Sequence, residues 1–394
     1  MKLAKLSLVA MVVAGLTSSS FAADTLADAF KNGKVSGQLK SSYFTRDNGT
    51  SNEGIVNVGV TLGYVTDSFM GFKMGTTLQS SSAPFADADA QNRFIGDVWG
   101  SGAQLSEAYL EYTLGKTIAK VGRQFVARTP LVTSSGSRFV RTAIEGAIIT
   151  NTDIPDTMLW AAYIDKYQNR TDGSGGFADF IDEGNAKVST LGTDGAYSVM
   201  AVNKSLTGTT LIAQWGNMVD KFNIYYVEAA YAGKAKDFSY GIAGQYSATD
   251  YTGLFAASED ASYYGLKASL GYGAFGGYVA YSKVANDGDA QDSIIATDPI
   301  FTSNEISSNT YKASEKAYAI DLNYKITPDA KIGGKYSSYD YSTTTVDFDI
   351  MTFYGEYAFS GALKGFSLEA VYEMVDNATG ADTDELRFKA NYKF

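Results

Sequence analysis

Four arginines crowd one stretch of an otherwise acidic chain: Arg123, Arg128, Arg138 and Arg141. Guanidinium groups bind carboxylates through paired hydrogen bonds as well as charge, so the segment 126–142 is a candidate anion site. The competing reading is structural, with the arginines gripping nearby carboxylates such as Glu145 and holding the segment down. Other chemistry is limited by what the chain lacks. With no histidine and no cysteine, it has no Ser-His-acid or Cys-His nucleophile and none of the usual zinc sites. Its 43 acidic residues make chance carboxylate pairs certain, and none stands out as the acid–base couple of a glycosidase. The run Asn286 to Asp292 crowds carboxylates at spacings that suit calcium, yet it lacks the twelfth-position Glu and the length of an EF-hand loop. A solvated loop is the better reading there, as it is for Asp87, Asp89 and Asp97. No metal, no cofactor and no enzymatic activity is implied.

The elements that must position these residues are extended ones. Residues 1–22 read as an export signal: Lys2 and Lys5, an apolar run from Leu6 to Leu16, then small residues up to Ala22. Removing two lysines and no acids takes the formal charge from −11 to −13, a balance that argues against nucleic acid. No later run is apolar over the roughly 18 residues that a spanning helix needs. Forty glycines, 28 tyrosines and 22 phenylalanines against five prolines point instead to β structure with aromatic girdles.

After a leader at 23–32, residues 33–394 divide into alternating stretches of about ten residues. Outward strands are expected at 33–45, 70–81, 117–125, 157–167, 208–217, 238–248, 275–285, 330–340 and 365–376. Returning strands are expected at 54–66, 105–114, 143–151, 197–204, 220–232, 261–271, 313–326, 349–359 and 383–394, which makes eighteen. Short gaps alternate with long ones at 82–104, 126–142, 168–196, 249–260 and 286–312, as in barrels with short periplasmic turns and long outer loops. Pro84, Pro130, Pro155, Pro299 and Pro328 all fall in gaps, where a missing N–H costs the ladder nothing. The last strand alternates Leu386, Phe388, Ala390, Tyr392 and Phe394 with Arg387, Lys389, Asn391 and Lys393. Apolar positions would face lipid and charged ones a wet lumen. The fold class is therefore all-β, a transmembrane antiparallel barrel.

Three segments are similar to the OprD family of outer-membrane porins. They are Leu26 to Asp47; Ser106 to Arg170, with E-A-Y-L-E-Y-T-L-G-K-T-I-A-K-V-G-R-Q, T-P-L, S-R-F-V-R-T-A-I-E-G-A and W-A-A-Y-I-D-K-Y-Q-N-R; and the closing strand. The resemblance implies an eighteen-stranded pore, monomer or homotrimer, narrowed by inward-folded loops. It also implies a basic ladder on the wall near 126–142 and a terminal aromatic, Phe394, read by the outer-membrane insertion machinery. The acidic constriction residues of the family cannot be aligned within 286–312.

The expectation is a channel in the bacterial outer membrane for passive diffusion of small hydrophilic solutes, such as ions, amino acids and small carboxylates. Arg123, Arg128, Arg138 and Arg141 would line its constriction, Arg170 and Lys267 would extend the basic track, and Glu107 and Glu111 would set an opposite wall. The outside would touch outer-membrane lipid and lipopolysaccharide. The alternative is a surface adhesin or structural barrel with a plugged lumen.

Overall fold

The computed structural model describes residues 23–127, 129–181, 195–295, 297–306, 309–341 and 347–394. The proposed signal at 1–22 and Arg128 lie outside the described residues.

Eighteen strands make the wall: β1 (Lys34–Asp47), β2 (Asn52–Val65), β3 (Phe72–Ser81), β4 (Gly102–Leu114), β5 (Thr117–Gln124), β6 (Ala143–Asn151), β7 (Thr157–Gln168), β8 (Ala196–Asn203) and β9 (Thr209–Met218), then β10 (Phe222–Ala235), β11 (Phe238–Tyr251), β12 (Ala261–Tyr272), β13 (Phe275–Val284), β14 (Lys316–Thr327), β15 (Ala330–Asp340), β16 (Phe348–Ala358), β17 (Phe366–Asn377) and β18 (Thr383–Lys393). A two-residue strand, Phe180–Ile181, pairs with the end of β7 and belongs to the loop above it. Each wall strand pairs antiparallel with its sequence neighbours, and β18 pairs with β1 from Lys393↔Gln38 to Asp384↔Asp47. Closure leaves no sheet edge, so every wall strand finds a ladder partner on both sides, as hydrocarbon requires.

Side-chain parity follows the pleat. On β18, Phe388 and Tyr392 are 40% and 38% exposed on the outside, whereas Arg387 is 2% exposed within. On β14 the outward row is Tyr318, Ile320, Leu322, Tyr324 and Ile326, all exposed, and inward Asp321 accepts from Tyr354 Oη, which lies 3.0 and 2.9 Å from its two carboxylate oxygens. Ring pairs such as Phe238–Tyr272 (4.7 Å) and Phe275–Tyr324 (4.7 Å) form the girdle at the short-turn end.

The leader holds a short helix, α1 (Leu26–Lys31), capped by Thr25, whose Oγ1 accepts from the Asp28 N–H. It docks on the turn after β2, where Asp67 N–H donates to Ala29 O and Tyr64 donates to Phe30 O. At the seam, Phe394 and Gly37 exchange backbone hydrogen bonds of 3.1 and 2.9 Å. A Cβ on Gly37 would meet the Phe394 ring at 2.2 Å, so only glycine lets that ring lie across β1.

The buried core lies inside the ring rather than between layers. Val126, Leu131 and Val132 of loop 125–142 join Ile294 and Ile295 of loop 285–315, and both pack on inward Ile144, Ile164, Met200, Met218, Ile224 and Tyr226. One side of the lumen is thereby filled with apolar side chains. A third inward loop, 82–101, carries α2 (Ala88–Phe94) and seats Phe94 on Phe44 of β1, with ring centroids 5.4 Å apart.

Candidate functional site

Loop 125–142 crosses the lumen because both of its ends are held by the wall. On one side, Gln79 of β3 clamps Arg141 by its backbone: Arg141 N–H donates to Gln79 Oε1 (3.0 Å) and Gln79 Nε2 to Arg141 O (2.8 Å). Lys40 of β1 donates to Phe139 O (2.6 Å), and Arg387 of β18 donates to Ser137 O (2.7 Å). On the other side, buried Gln214 of β9 accepts from Leu131 N–H (3.1 Å) and donates to Thr129 Oγ1 (3.1 Å). Midway, Val132 and Ile295 form a parallel bridge that joins the loop to loop 285–315.

The second loop is fastened to the wall of β15–β17. Lys335 Nζ donates to Thr302 O and Ser303 O, at 3.1 and 2.5 Å. Glu373, fully buried, accepts from the N–H groups of Glu305 (3.0 Å) and Ile306 (3.2 Å). One carboxyl accepting from two successive amides tethers the loop at two points.

What remains open lies against the other wall. A cavity of 250 Å³ is lined by Lys40, Arg138, Arg141, Arg387 and Lys389, with Phe44, Phe125 and Phe139 between them and Glu369 as its one carboxylate among the described residues. Arg141 stacks 4.3 Å over the Phe125 ring and Lys40 sits 4.8 Å over that of Phe139. Arg141 also donates from Nε to Ser134 O (3.2 Å), so it holds its own loop while facing the cavity. Burial pushes its guanidinium down from the usual arginine range, and the charge of nearby Glu107 opposes that. Nε and Nη2 of Arg387, shielded from solvent, find no hydrogen-bond partner among the described residues.

Toward the outer mouth the track continues around Asp97 of loop 82–101. Its carboxylate lies 3.0 Å from Arg138 Nε, 3.8 Å from Arg46 and 3.9 Å from Arg170. Arg170 also donates to Ser135 Oγ (3.1 Å) and Ser137 Oγ (3.3 Å). In loop 285–315, burial pushes the Asp292 carboxyl up to about 6, against opposing hydrogen bonds from Ser293.

A family model described as "outer membrane porin, OprD family" matches residues 103–394. The chain belongs to the OprD family. No curated protein matches it. Among solved structures, OccK3 (OpdO) of Pseudomonas aeruginosa is 17% identical with a TM-score of 0.79, over 94% of this chain and 97% of that one. OpdK of the same organism, crystallised with vanillate, gives 16%, 0.80, 93% and 99%. OccAB2 of Acinetobacter baumannii gives 18%, 0.78, 93% and 99%. This porin is thus an outer-membrane channel for the diffusion of small solutes, with its outer wall in contact with lipid; a plugged adhesin is not favoured.

The porin brings Arg138 and Arg141 to the cavity, with Arg170 toward its outer mouth and Glu107 near Arg141, and it sets Glu111, Lys267 and Arg123 apart from them. Glu107 sits at the root of the loop, accepting from Thr77 Oγ1 (2.6 Å) and Phe125 N–H (3.0 Å). Glu111 pairs with Lys120 at 3.6 Å, further down the wall. Lys267 is inward but on β12, over the rings of Tyr278 and Phe301. Arg123 is not in the lumen. It shares its face with Val121, which is 59% exposed on the outside, and it pairs there with Glu145 at 2.8 Å. The luminal glutamates do not form one separate wall either: Glu369 pairs with Lys389 (3.0 Å) and Glu356 with Lys331 (2.8 Å) across neighbouring strands. Lys40 and Arg46 were missed, although the inward series Lys40, Ser42, Phe44, Arg46 of β1 carries the period-2 signal that would have found them. Asp97 has no such signal.

Proposed function

We propose that this porin favours small solutes bearing a carboxylate, and that it does so at the cavity between loop 125–142 and the wall of β18, β1 and β3. The observation that carries the reading is the convergence of five cations and one carboxylate on a single 250 Å³ space. Arginine and lysine rings of this kind select anions by charge, and the guanidinium fork adds paired hydrogen bonds to a carboxylate. The aromatic rings of Phe44, Phe125 and Phe139 suit a solute with a flat apolar part, and a fold relative was crystallised with vanillate, an aromatic carboxylate.

Glu228 supports orientation of zwitterions. It lies on β10, nine strands from β1 in a ring of eighteen, and accepts from Tyr226 Oη at 2.6 Å. A positive wall facing a distant carboxylate aligns a solute carrying both charges. Passage needs no energy source and no catalysis.

The test is reversal potential under a salt gradient in planar bilayers. Replacing Arg138 and Arg141 with alanine should lower the anion preference and reduce block of small-ion current by benzoate-type anions. An unchanged reversal potential would leave these arginines with a purely structural role and sink the reading. We further propose that residues 1–22 are the export signal, that Phe394 is read by the insertion machinery, and that the assembly is a monomer or a homotrimer, which native mass spectrometry would distinguish.

A further inference from the structure

The outer wall contains a place where like charges oppose each other. Lys283 of β13 and Lys316 of β14 are direct cross-strand partners. Parity puts both on the outside: Lys283 follows Val279 and Tyr281 at two-residue steps, Lys316 precedes Tyr318 and Ile320, and Val284 and Ala317 between them are buried inward. Both lysines stand at the strand ends that flank loop 285–315, which is the outer-loop side of the barrel. Like charges directly opposite in an antiparallel pair repel. Asp340, the partner of Lys316 on β15, approaches it at 3.8 Å, and among the described residues no carboxylate pairs with Lys283. The trio keeps an uncompensated positive charge.

Its surroundings match a particular depth in the membrane. Next along the same two strands, the rings of Tyr281 and Tyr318 lie 5.0 Å apart, and Tyr264 lies 6.0 Å from Tyr281. Tyrosines in such a belt sit at the headgroup level, with the apolar wall of Leu266, Val279 and Ile320 beyond them. Outward clusters elsewhere at this end differ: Arg123 and Lys166 are matched by Glu145 and Asp165, and the outward cross-strand pairs Asp47–Asp384 and Asp349–Asp376 are acidic.

We propose that Lys283 and Lys316 bind a phosphate on the headgroup of a phosphorylated lipid in the outer leaflet. Two ammonium groups on adjacent strands offer several N–H donors to one phosphate, and the bound anion removes the repulsion between them. Asp340 holds Lys316 in place, and the tyrosine rings take the sugar or glycerol and the start of the acyl chains. This assignment rests on the outer-membrane location of the porin and is independent of its selectivity.

Native mass spectrometry of the full chain in neutral detergent, with diphosphoryl lipid A as the probe, tests it. Wild type should retain the lipid, and the double variant Lys283→Gln, Lys316→Gln should retain on the order of ten-fold less, as two surface lysines at an anionic interface warrant. Lys116→Gln, in the turn at the opposite end, should retain as much as wild type. Heat-modifiable gel mobility verifies that each variant is folded. Equal retention by the double variant, or equal retention of dephosphorylated lipid A by wild type, would overturn the proposal. Single-channel conductance separates the two readings: the double variant should conduct like wild type while losing the lipid, whereas wild type that retains the lipid but shows no conductance steps would sink the channel reading alone.

Discussion

The Asp97 carboxylate and the Arg138 guanidinium meet at 3.0 Å over the mouth of the basic track. That contact joins loop 82–101 to loop 125–142, and it places one negative charge among three arginines. Asp97 therefore tempers the very field that the track generates.

Replacing Asp97 with asparagine should raise anion selectivity. Two unit charges about 4 Å apart in water interact by about 1 kcal/mol, so local anion occupancy should rise about five-fold. The reversal potential should move further toward the anion value, and more so at low salt. A shift toward cations would refute the argument.

Gln214→Leu should loosen the far end of loop 125–142. The side chain bonds Leu131 N–H, Thr129 and Ser198 from a buried position. Stranding a buried donor costs about 1–3 kcal/mol, set against a loop held by a handful of such bonds. Single-channel records should show a larger mean conductance and more flicker, while the thermal unfolding of the barrel changes little.

Asp292 should make loop 285–315 pH-sensitive. Its carboxyl is held up to about 6 by burial, above the ordinary aspartate value of about 3.9. The folded state therefore binds its proton more tightly than the unfolded chain does. The resulting stabilisation of the loop is fully present below about pH 4 and is lost as pH rises through about 6. Above that point a negative charge appears in loop 285–315, so cation permeability should step up between about pH 5 and 7. Asp292→Asn should abolish the step in a pH series of reversal potentials.

Gly37→Val should impair assembly as much as truncation of Phe394 does. Both changes remove the fit of the terminal ring across β1, where an added Cβ would come within 2.2 Å of it. Outer-membrane fractionation should show several-fold less folded protein for each, and normal levels of the truncated chain would contradict a recognition role for Phe394.

The wall was legible in the sequence because its period is two. Every expected strand lies within about three residues of an observed one, and all five prolines fall outside the strands. Arg123 was misread for a related reason: it lies within the expected strand 117–125 but was grouped with the loop arginines rather than read against the alternation with Val121 that places it outside. The loops carry no period at all. Nothing in the order of residues says that Asp97 reaches three arginines, that Gln79 and Gln214 reach one loop from different walls, or that Val132 meets Ile295. Those contacts depend on how chains far apart in sequence are folded back into one confined space.

The bridge between Val132 and Ile295 has a consequence for how such a channel changes over time. The circumference of the wall is dictated by backbone pairing, and a single altered side chain leaves it intact. The bore is set elsewhere, by two loops that lean on each other at mid-lumen and are pegged to the wall by a few glutamine, lysine and glutamate side chains. Bore and wall are thus inherited separately: exchanging a few residues in the loops recuts the aperture for a new cargo without touching the scaffold that must survive insertion into the membrane.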